Sequence, residues 1–509
     1  MRQQIEKIYG RLASPLFLWL VFGFFILQSL VFAVIVEPSY IETRSDGYET
    51  RTGGVVPDGN RHIAAVTYYA EQPLSAGPFI HDMSANELWL GDLERFPSYL
   101  YYYLLSFPMR VAIGLGLSDA MMVLMIRLIG TVVGVIGLWV VYKIARELRT
   151  SQQIAHLSVL ATALTGVYAW LAPAENYDML ALLLWLGFVL MSLRLFTRQH
   201  AKYLVPMAIL FSLGSITKYT YIPFMTIAGG AALALYIYGL RNTGGLRGGF
   251  EQLKLWITSQ KWWKTTLVSL LLVVSAGLFT ERIIGNLLVY QSFSPSCAVV
   301  HSKENCGNFA IYDRNVTRKA AYEAEIARGE TERVIYNPLT YTPFWIDRYY
   351  ASIFGYVGHI WIYNFWPGMY IGAIAASLLV ALLLVVAKLR RIRLLQSTGE
   401  RWLAGVIAML VIAQYTINAR TFVNYGGELY AYAHQGRYLL SAICIGYILL
   451  LLVITRSLRA LAPSRHYSWL LPLSVLVLVA AAVTNMALVT FFVHATGSDW
   501  YSTFAENLL

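Results

Sequence analysis

The chain has 509 residues, 57% of them hydrophobic and only 13% charged, about half the charged fraction of roughly 25% usual in soluble domains. That balance argues against an ordinary soluble enzyme and for an all-α polytopic membrane protein, since in lipid an apolar run satisfies its own backbone as a helix. The net charge of +11 does not imply a nucleic-acid partner. Lys and Arg gather in short segments between apolar runs, KIARELR (143–149), RLFTRQHAK (194–202), RNTGGLRGG (241–249), KLRRIR (388–393) and RSLRALAPSR (456–465), the pattern of cytoplasmic loops.

The first apolar run, LFLWLVFGFFILQSLVFAVIV (16–36), is long enough to cross a hydrocarbon core of about 30 Å. It is too long for a secretory signal and has no small-residue cleavage site, so it is expected to stay as an anchor. Residues 38–118 then form a first external loop, acidic through Glu42, Asp46, Glu49, Asp58, Glu71, Asp82, Glu87, Asp92 and Glu94. Within it, PDGNRHIAAVTYYAEQ (57–72) opens with Pro57, a favoured first helical residue. Asp58 and His62 fall one turn apart, with Ile63, Val66 and Tyr69 or Ala70 as a membrane-facing stripe. Asp58 there is either a helix cap or an exposed general base. A second stretch, SYLYYYLLSFPMRVAIGLGL (98–117), is aromatic and interrupted by Pro108 and Arg110. Both are expected as helices lying along the outer surface.

Later runs complete a count of about eleven spans, near 16–36, 119–143, 154–172, 178–196, 203–217, 220–239, 265–284, 368–388, 402–418, 438–455 and 468–494. The N-terminus is then inside and the C-terminal tail outside. The pair around 203–239 has almost no loop at Lys218 and Tyr219, yet only two spans keep later basic loops on one side. A second large external segment, 285–367, holds Cys297 and Cys306 in PSCAVVHSKENCGNF, a pair that an oxidising compartment would allow to join. Cys444 lies in an apolar run as a packing residue. No internal repeat is evident, and the whole of 1–509 is expected as one membrane domain.

Ionisable residues at the outer ends of spans are expensive and hence functional candidates. Besides Asp58 with Arg61 and His62, three groups qualify. PAENYD (173–178) offers Glu175 and Asp178, either orienting a substrate or forming a hydrated turn. ITKYTY (216–221) offers Lys218, which either snorkels to lipid headgroups or meets a phosphate as a point charge. AHQGRYLLSAI (433–443) offers His434 and Arg437; an Arg fork suits two phosphate oxygens but also anchors spans. Topology puts all four on the external side, where a base and phosphate-binding cations suit a lipid-phosphate substrate. No P-loop or dinucleotide fingerprint is present.

An early external Asp with two surface helices, NYD at the head of the fourth span and SLGSITKYT together resemble the GT-C superfamily of integral-membrane glycosyltransferases. The layout is similar to its protein O-mannosyltransferase and aminoarabinose transferase branches, and to a bacterial multi-spanning family within it. That bacterial family has Pro-Asp-Glu-x-x-His, matched by PDGNRH with Gly59 in place of Glu. It also has a Phe-Gly-rich external segment, compare SIFGYVGHI (352–360), and Gln-Gly-Arg-Tyr, matched by QGRYLL (435–440). The resemblance implies a polyprenyl-phosphate sugar donor, inverting transfer outside the membrane and Asp58 as base, with Asp46 in RSDGYE as its rival. His62, Glu175, Asp178, Lys218, His434 and Arg437 become expected substrate-binding residues. No cofactor is required by these motifs, and a divalent metal is left open, with Glu175 or Asp178 available for the role vacated at Gly59. The expected partners are the donor lipid, membrane lipids and a glycan or lipid-linked acceptor, a surface polysaccharide or wall polymer ahead of protein, in a bacterial inner membrane. Two other classes fit the same residues, a polyprenol-linked lipid transporter and a non-catalytic assembly protein with this fold.

Overall fold

The computed structural model describes residues 11–36, 58–241, 245–309, 312–357, 393–426 and 435–461, with short pieces at 41–44, 47–50 and 360–361 and a few single residues. The described chain is overwhelmingly helical, relieved by two short antiparallel hairpins at Ile41–Arg44 with Gly47–Thr50 and at Tyr356–Val357 with Ile360–Trp361. We number the principal helices α1 (Pro15–Ile35), α2 (Gly59–Glu71), α3 (Leu100–Gly114), α4 (Asp119–Glu147), α5 (Gln152–Ala163), α6 (Asp178–Thr197), α7 (Leu204–Thr217), α8 (Ile222–Leu240), α9 (Gly245–Ser259), α10 (Trp262–Phe279), α11 (Pro338–Tyr350), α12 (Thr398–Asn424) and α13 (Leu440–Leu461). Serines start several of them: Ser14, Ser118, Ser151 and Ser397 each accept a hydrogen bond from a backbone N–H in the first turn of α1, α4, α5 and α12, satisfying donors that the helix itself leaves open.

Seven described helices are long and apolar enough to cross a membrane: Pro15–Ile35, Asp119–Glu147, Asp178–Thr197, Tyr219–Leu240, Trp262–Tyr290, Thr398–Asn424 and Leu440–Leu458. The expected spans near 368–388 and 468–494 lie outside the described residues. The expected span at 154–172 is broken into α5 and a short helix, Gly166–Leu171. The physical cause sits at the break, where the hydroxyls of Thr162 and Thr165 bond back to Ser158 O and Ala161 O, an arrangement that bends helices. The start of the short helix is also pressed against Ile353 O, close to Gly166.

α6 is the centre of the bundle, with 67% of its apolar stretch buried against 17% for the Trp262–Tyr290 span. Its neighbours fix the path of the chain. Leu210 of α7 lies over Gly187, and Ser192 meets Met207 Sδ at 3.3 Å, so α7 runs antiparallel to α6. Tyr221, just before α8, then pairs with Trp185, Phe188 sits beneath Gly229 and Gln199 beside Gly239, so α8 runs parallel to α6. The segment 203–239 therefore crosses the bundle twice, turning at Lys218.

That turn end of the bundle is covered by α2 and α3. Arg110 inside α3 donates to Tyr69 O and Gln72 O, both at 2.5 Å, satisfying carbonyls at the end of α2. Leu104, Phe107, Val111 and Leu115 of α3 and its end point away from the bundle, exposed. The loop before α3 is fastened beside the turn by Tyr99 N to Ile216 O and Tyr219 N to Ser98 Oγ, each 3.0 Å. Cys297 and Cys306 form a disulfide, and their loop docks onto the same cover through His301 Nε2 to Asp92 Oδ1 at 3.3 Å.

Candidate active site

At the start of α2 the backbone of Asp58 is left-handed, φ 60° and ψ 15°, a region that Asp tolerates better than most residues. Its carbonyl accepts the first helical bond from His62 N at 3.0 Å, while its side chain makes no capping bond. The turn instead carries the carboxylate toward two guanidinium groups, Arg437 at 3.6 Å and Arg61 at 3.9 Å.

Arg437 lies in a 3-10 turn, Gly436–Tyr438, just before α13. It bridges two carboxylates, reaching Asp58 Oδ2 with one terminal nitrogen and Asp178 Oδ2 with the other at 3.4 Å. Gly436 makes this placement workable, because a Cβ there would stand 2.7–2.9 Å from Ile353 Cγ1, N and Cα. Asp178 is the first residue of α6, where a negative charge meets the positive end of the helix dipole. Its other oxygen accepts from Lys218 Nζ at 2.6 Å. Lys218 itself occupies the turn between α7 and α8, in extended conformation, so its ammonium is delivered by the reversal of the chain.

Tyrosines line these charges. Lys218 Nζ stands 5.2 Å from the Tyr438 ring centroid, 5.6 Å from Tyr221 and 5.8 Å from Tyr177, within cation–π range. His62 Nδ1 bonds the Tyr102 hydroxyl at 2.8 Å, and its ring meets Tyr177 edge-on at 5.2 Å. Burial, reinforced by the neighbouring Arg61 charge, lowers the His62 pKa to about 3, so the imidazole is neutral at physiological pH. Burial opposes the charge on Arg437, but Tyr438, Asp178 and Asp58 hold its pKa above the ordinary Arg value. Among the described residues three cations, Arg61, Lys218 and Arg437, face two carboxylates; with His62 neutral, these side chains carry one excess positive charge. Access is uneven. Asp58 is 47% exposed, whereas Asp178, Arg437 and Lys218 are all below 10%.

Of the expected site residues, Asp58, His62, Asp178, Lys218 and Arg437 thus come together from four separate parts of the chain. Glu175 does not join them. It is fully buried and paired with Arg127 of α4, whose guanidinium also donates to Ala33 O at 2.8 Å and Val36 O at 2.5 Å. Asp46 and His434 lie outside the described residues. Tyr102, Tyr177 and Tyr438 are not among the residues that the sequence marks as candidates, although two stand inside the motifs NYD and QGRY. Among the described residues no three His, Cys, Asp or Glu side chains gather as a metal site, and Arg437 already occupies the space between Asp58 and Asp178.

A buried, cation-rich cluster with one open carboxylate thus stands at one end of the helical bundle of an integral-membrane protein. Residues 106–241 match the family model described as dolichyl-phosphate-mannose-protein mannosyltransferase. The matched segment includes Glu175, Asp178 and Lys218, and it agrees with the GT-C resemblance of the motifs. At family level it supports a glycosyltransferase of GT-C type using polyprenyl-phosphate sugar donors. No curated protein matches the chain significantly.

Proposed function

We propose that the protein is an inverting glycosyltransferase that moves a sugar from a polyprenyl-phosphate donor to an acceptor hydroxyl on the external side of a bacterial inner membrane. The observation that carries this is the division of labour in the cluster: an accessible Asp58 carboxylate beside enclosed Arg437 and Lys218. The donor phosphate sits at Arg437 and Lys218, displacing part of their pairing with Asp178. The acceptor oxygen attacks the anomeric carbon from the face opposite the phosphate, its proton passes to Asp58, and the bond to the phosphate oxygen breaks. The lipid phosphate leaves as an anion without protonation, and the two cations stabilise the charge that develops there, which is commonly the larger contribution. Neutral His62, fixed by Tyr102, packs behind Asp58 without adding charge. Asp178 holds both cations in place when the donor is absent. In this reading residues 38–118 and 285–367 form the external cover, and the acceptor is a cell-surface glycan or wall polymer.

The test compares surface glycans and polyprenyl-phosphate sugars by mass spectrometry in cells making wild-type protein, matched amounts of Asp58→Asn, or none. A sugar-sized mass missing from both deficient strains, with donor lipid accumulating, is the expected result and identifies the sugar. Full restoration by Asp58→Asn would remove Asp58 as the base and turn attention to Asp46.

A further inference from the structure

The opposite end of the bundle carries a second feature with no part in that chemistry. α7 begins there at Leu204 and ends at Lys218's turn, so Val205 and Lys218 mark the two ends. Beside Val205 lies α9, whose apolar residues Leu246, Phe250, Leu253 and Ile257 recur at spacings of four, three and four, forming one helical stripe. Arg247, Glu251, Lys254 and Thr258 repeat the same spacing one residue later and form a polar stripe. Leu253 packs against the protein core, but the rest of the apolar stripe is not spent there: Leu246 is 61% exposed, Phe250 73% and Ile257 42%. The helix is nevertheless docked, by Ala201 N to Gln252 Oε1 at 3.2 Å and by Tyr236 and Leu240 against Gly249.

Between the end of α9 and the first turns of α10 lies a cavity of about 400 Å³, bordered by Val205, Trp256, Trp263, Lys264, Val268 and Leu272. Its walls are mostly apolar and its rim is basic. Lys264 lines it, and the flanking sequence is basic, with Arg241, Arg247, Lys254, Lys261 and Lys264 against the single acid Glu251 in residues 241–264. Trp262 is 80% exposed at the same level. An exposed apolar stripe, interfacial tryptophans and a collar of lysines have one complementary surface in common, the headgroup boundary of an anionic bilayer.

We propose that α9 and the start of α10 form a binding site for an anionic phospholipid. Its phosphate sits at Lys261 and Lys264, with Lys254 completing the field, and an acyl chain enters the cavity between Val205, Trp263 and Leu272. α9 lies in the interface with the Leu246–Phe250–Ile257 face toward the acyl region. This places a lipid anchor at the foot of α7, whose other end delivers Lys218.

The experiment uses the full-length protein in nanodiscs of phosphatidylcholine doped with a photoreactive phosphatidylglycerol or, separately, a photoreactive phosphatidylcholine at equal mole fraction. Cross-linked peptides are mapped by mass spectrometry. Labelling of 254–272 is expected to be at least about 5-fold stronger with the anionic probe. Triple substitution of Lys254, Lys261 and Lys264 by Gln should bring it to the phosphatidylcholine level. Ser269→Trp, which narrows the cavity from an exposed position, should lower labelling by both probes while the lysines remain. Equal labelling of wild type by the two probes would overturn the anionic selectivity. Absence of labelling in this segment, or cross-links there to a second copy of the chain, would overturn the lipid as occupant. None of these readouts depends on sugar transfer.

Discussion

Two ion-paired clusters of this molecule look alike in sequence and differ in structure. Arg127 with Glu175, and Arg437 with Asp58 and Asp178, both join a carboxylate near the head of α6 to an arginine far away along the chain. The first is sealed: both side chains are 1% exposed, and the guanidinium also binds Ala33 O and Val36 O at the end of α1. The second is open at Asp58 and shares its charges among five side chains. A sealed pair locks one helix end against another. A shared, partly open set can loosen an internal pairing to take a substrate anion, which would neutralise its one excess positive charge. Burying an ion pair is a poor source of stability but a severe liability once broken, so the two clusters should fail in different ways.

The largest expected separation is between rate and stability. Asp58→Asn removes the proposed general base and, on that proposal, should lower sugar transfer about 10²–10⁴-fold. Asn also tolerates the left-handed backbone, and the Asp58 carboxylate caps no helix, so the thermal midpoint in detergent should stay close to wild type. Glu175→Gln should do the reverse. Leaving Arg127 buried without a carboxylate should cost about 3–5 kcal/mol, read as a fall in folded yield and midpoint, with turnover per folded molecule unchanged. An Asp58→Asn protein that unfolds, or a stable but inactive Glu175→Gln protein, would erase the distinction between the clusters.

Much of this was legible in the chain, and the rest was not for identifiable reasons. Apolar length and basic loops gave seven of the eleven expected spans among the described residues, and the amphipathic spacing after Pro57 gave α2, because both depend on local pattern. The common side of Asp58, Asp178, Lys218 and Arg437 followed from counting spans, and they do meet. Glu175 carried the same local signal as Asp178 three residues later. What separates them is a partner 48 residues upstream of Glu175, a lone Arg in the apolar run MIRLIG that read only as part of a span. The left-handed turn at Asp58 was equally hidden, since Asp before a helix ordinarily predicts a cap. The break at Thr165 depends on hydroxyl back-bonding and on Ile353, far along the chain.

Within the open cluster the cations should divide by geometry. Arg437 touches both carboxylates, so Arg437→Gln should lower transfer about 10²-fold, within the range for removing one preorganised donor. It should also weaken retention of the lipid-phosphate donor, measured by equilibrium binding of radiolabelled donor in detergent. Arg437→Lys should recover little, because an ammonium cannot span Asp58 and Asp178 with two separate nitrogens. Full activity in Arg437→Lys would mean that only the charge matters and that the bridge is incidental.

The smallest expected effect concerns pH and separates the clusters through His62, the imidazole of the open set among the described residues. His62 is buried against Tyr102 and Tyr177 and lies in the fields of Arg61, Arg437, Asp58 and Asp178, with burial and Arg61 bringing its pKa down to about 3. In the unfolded chain it titrates near the ordinary 6.5. Between those values the unfolded state binds the extra proton, so stability rises with pH across the window and is lost as pH falls from about 6.5 toward 3. The slope from this one group is at most about 1.4 kcal/mol per pH unit. Other carboxylates add their own acid dependence, so the informative quantity is the difference between wild type and His62→Gln, which retains a hydrogen-bonding side chain beside Tyr102 but cannot titrate. Thermal midpoints measured from pH 7.5 down to 4 should converge as the acid end is approached, with wild type losing stability faster. Parallel curves would mean that His62 accepts a proton in place, drawn by Asp58 and Asp178. The open cluster would then carry a second excess positive charge on acidification, and transfer rates rather than stability would show it.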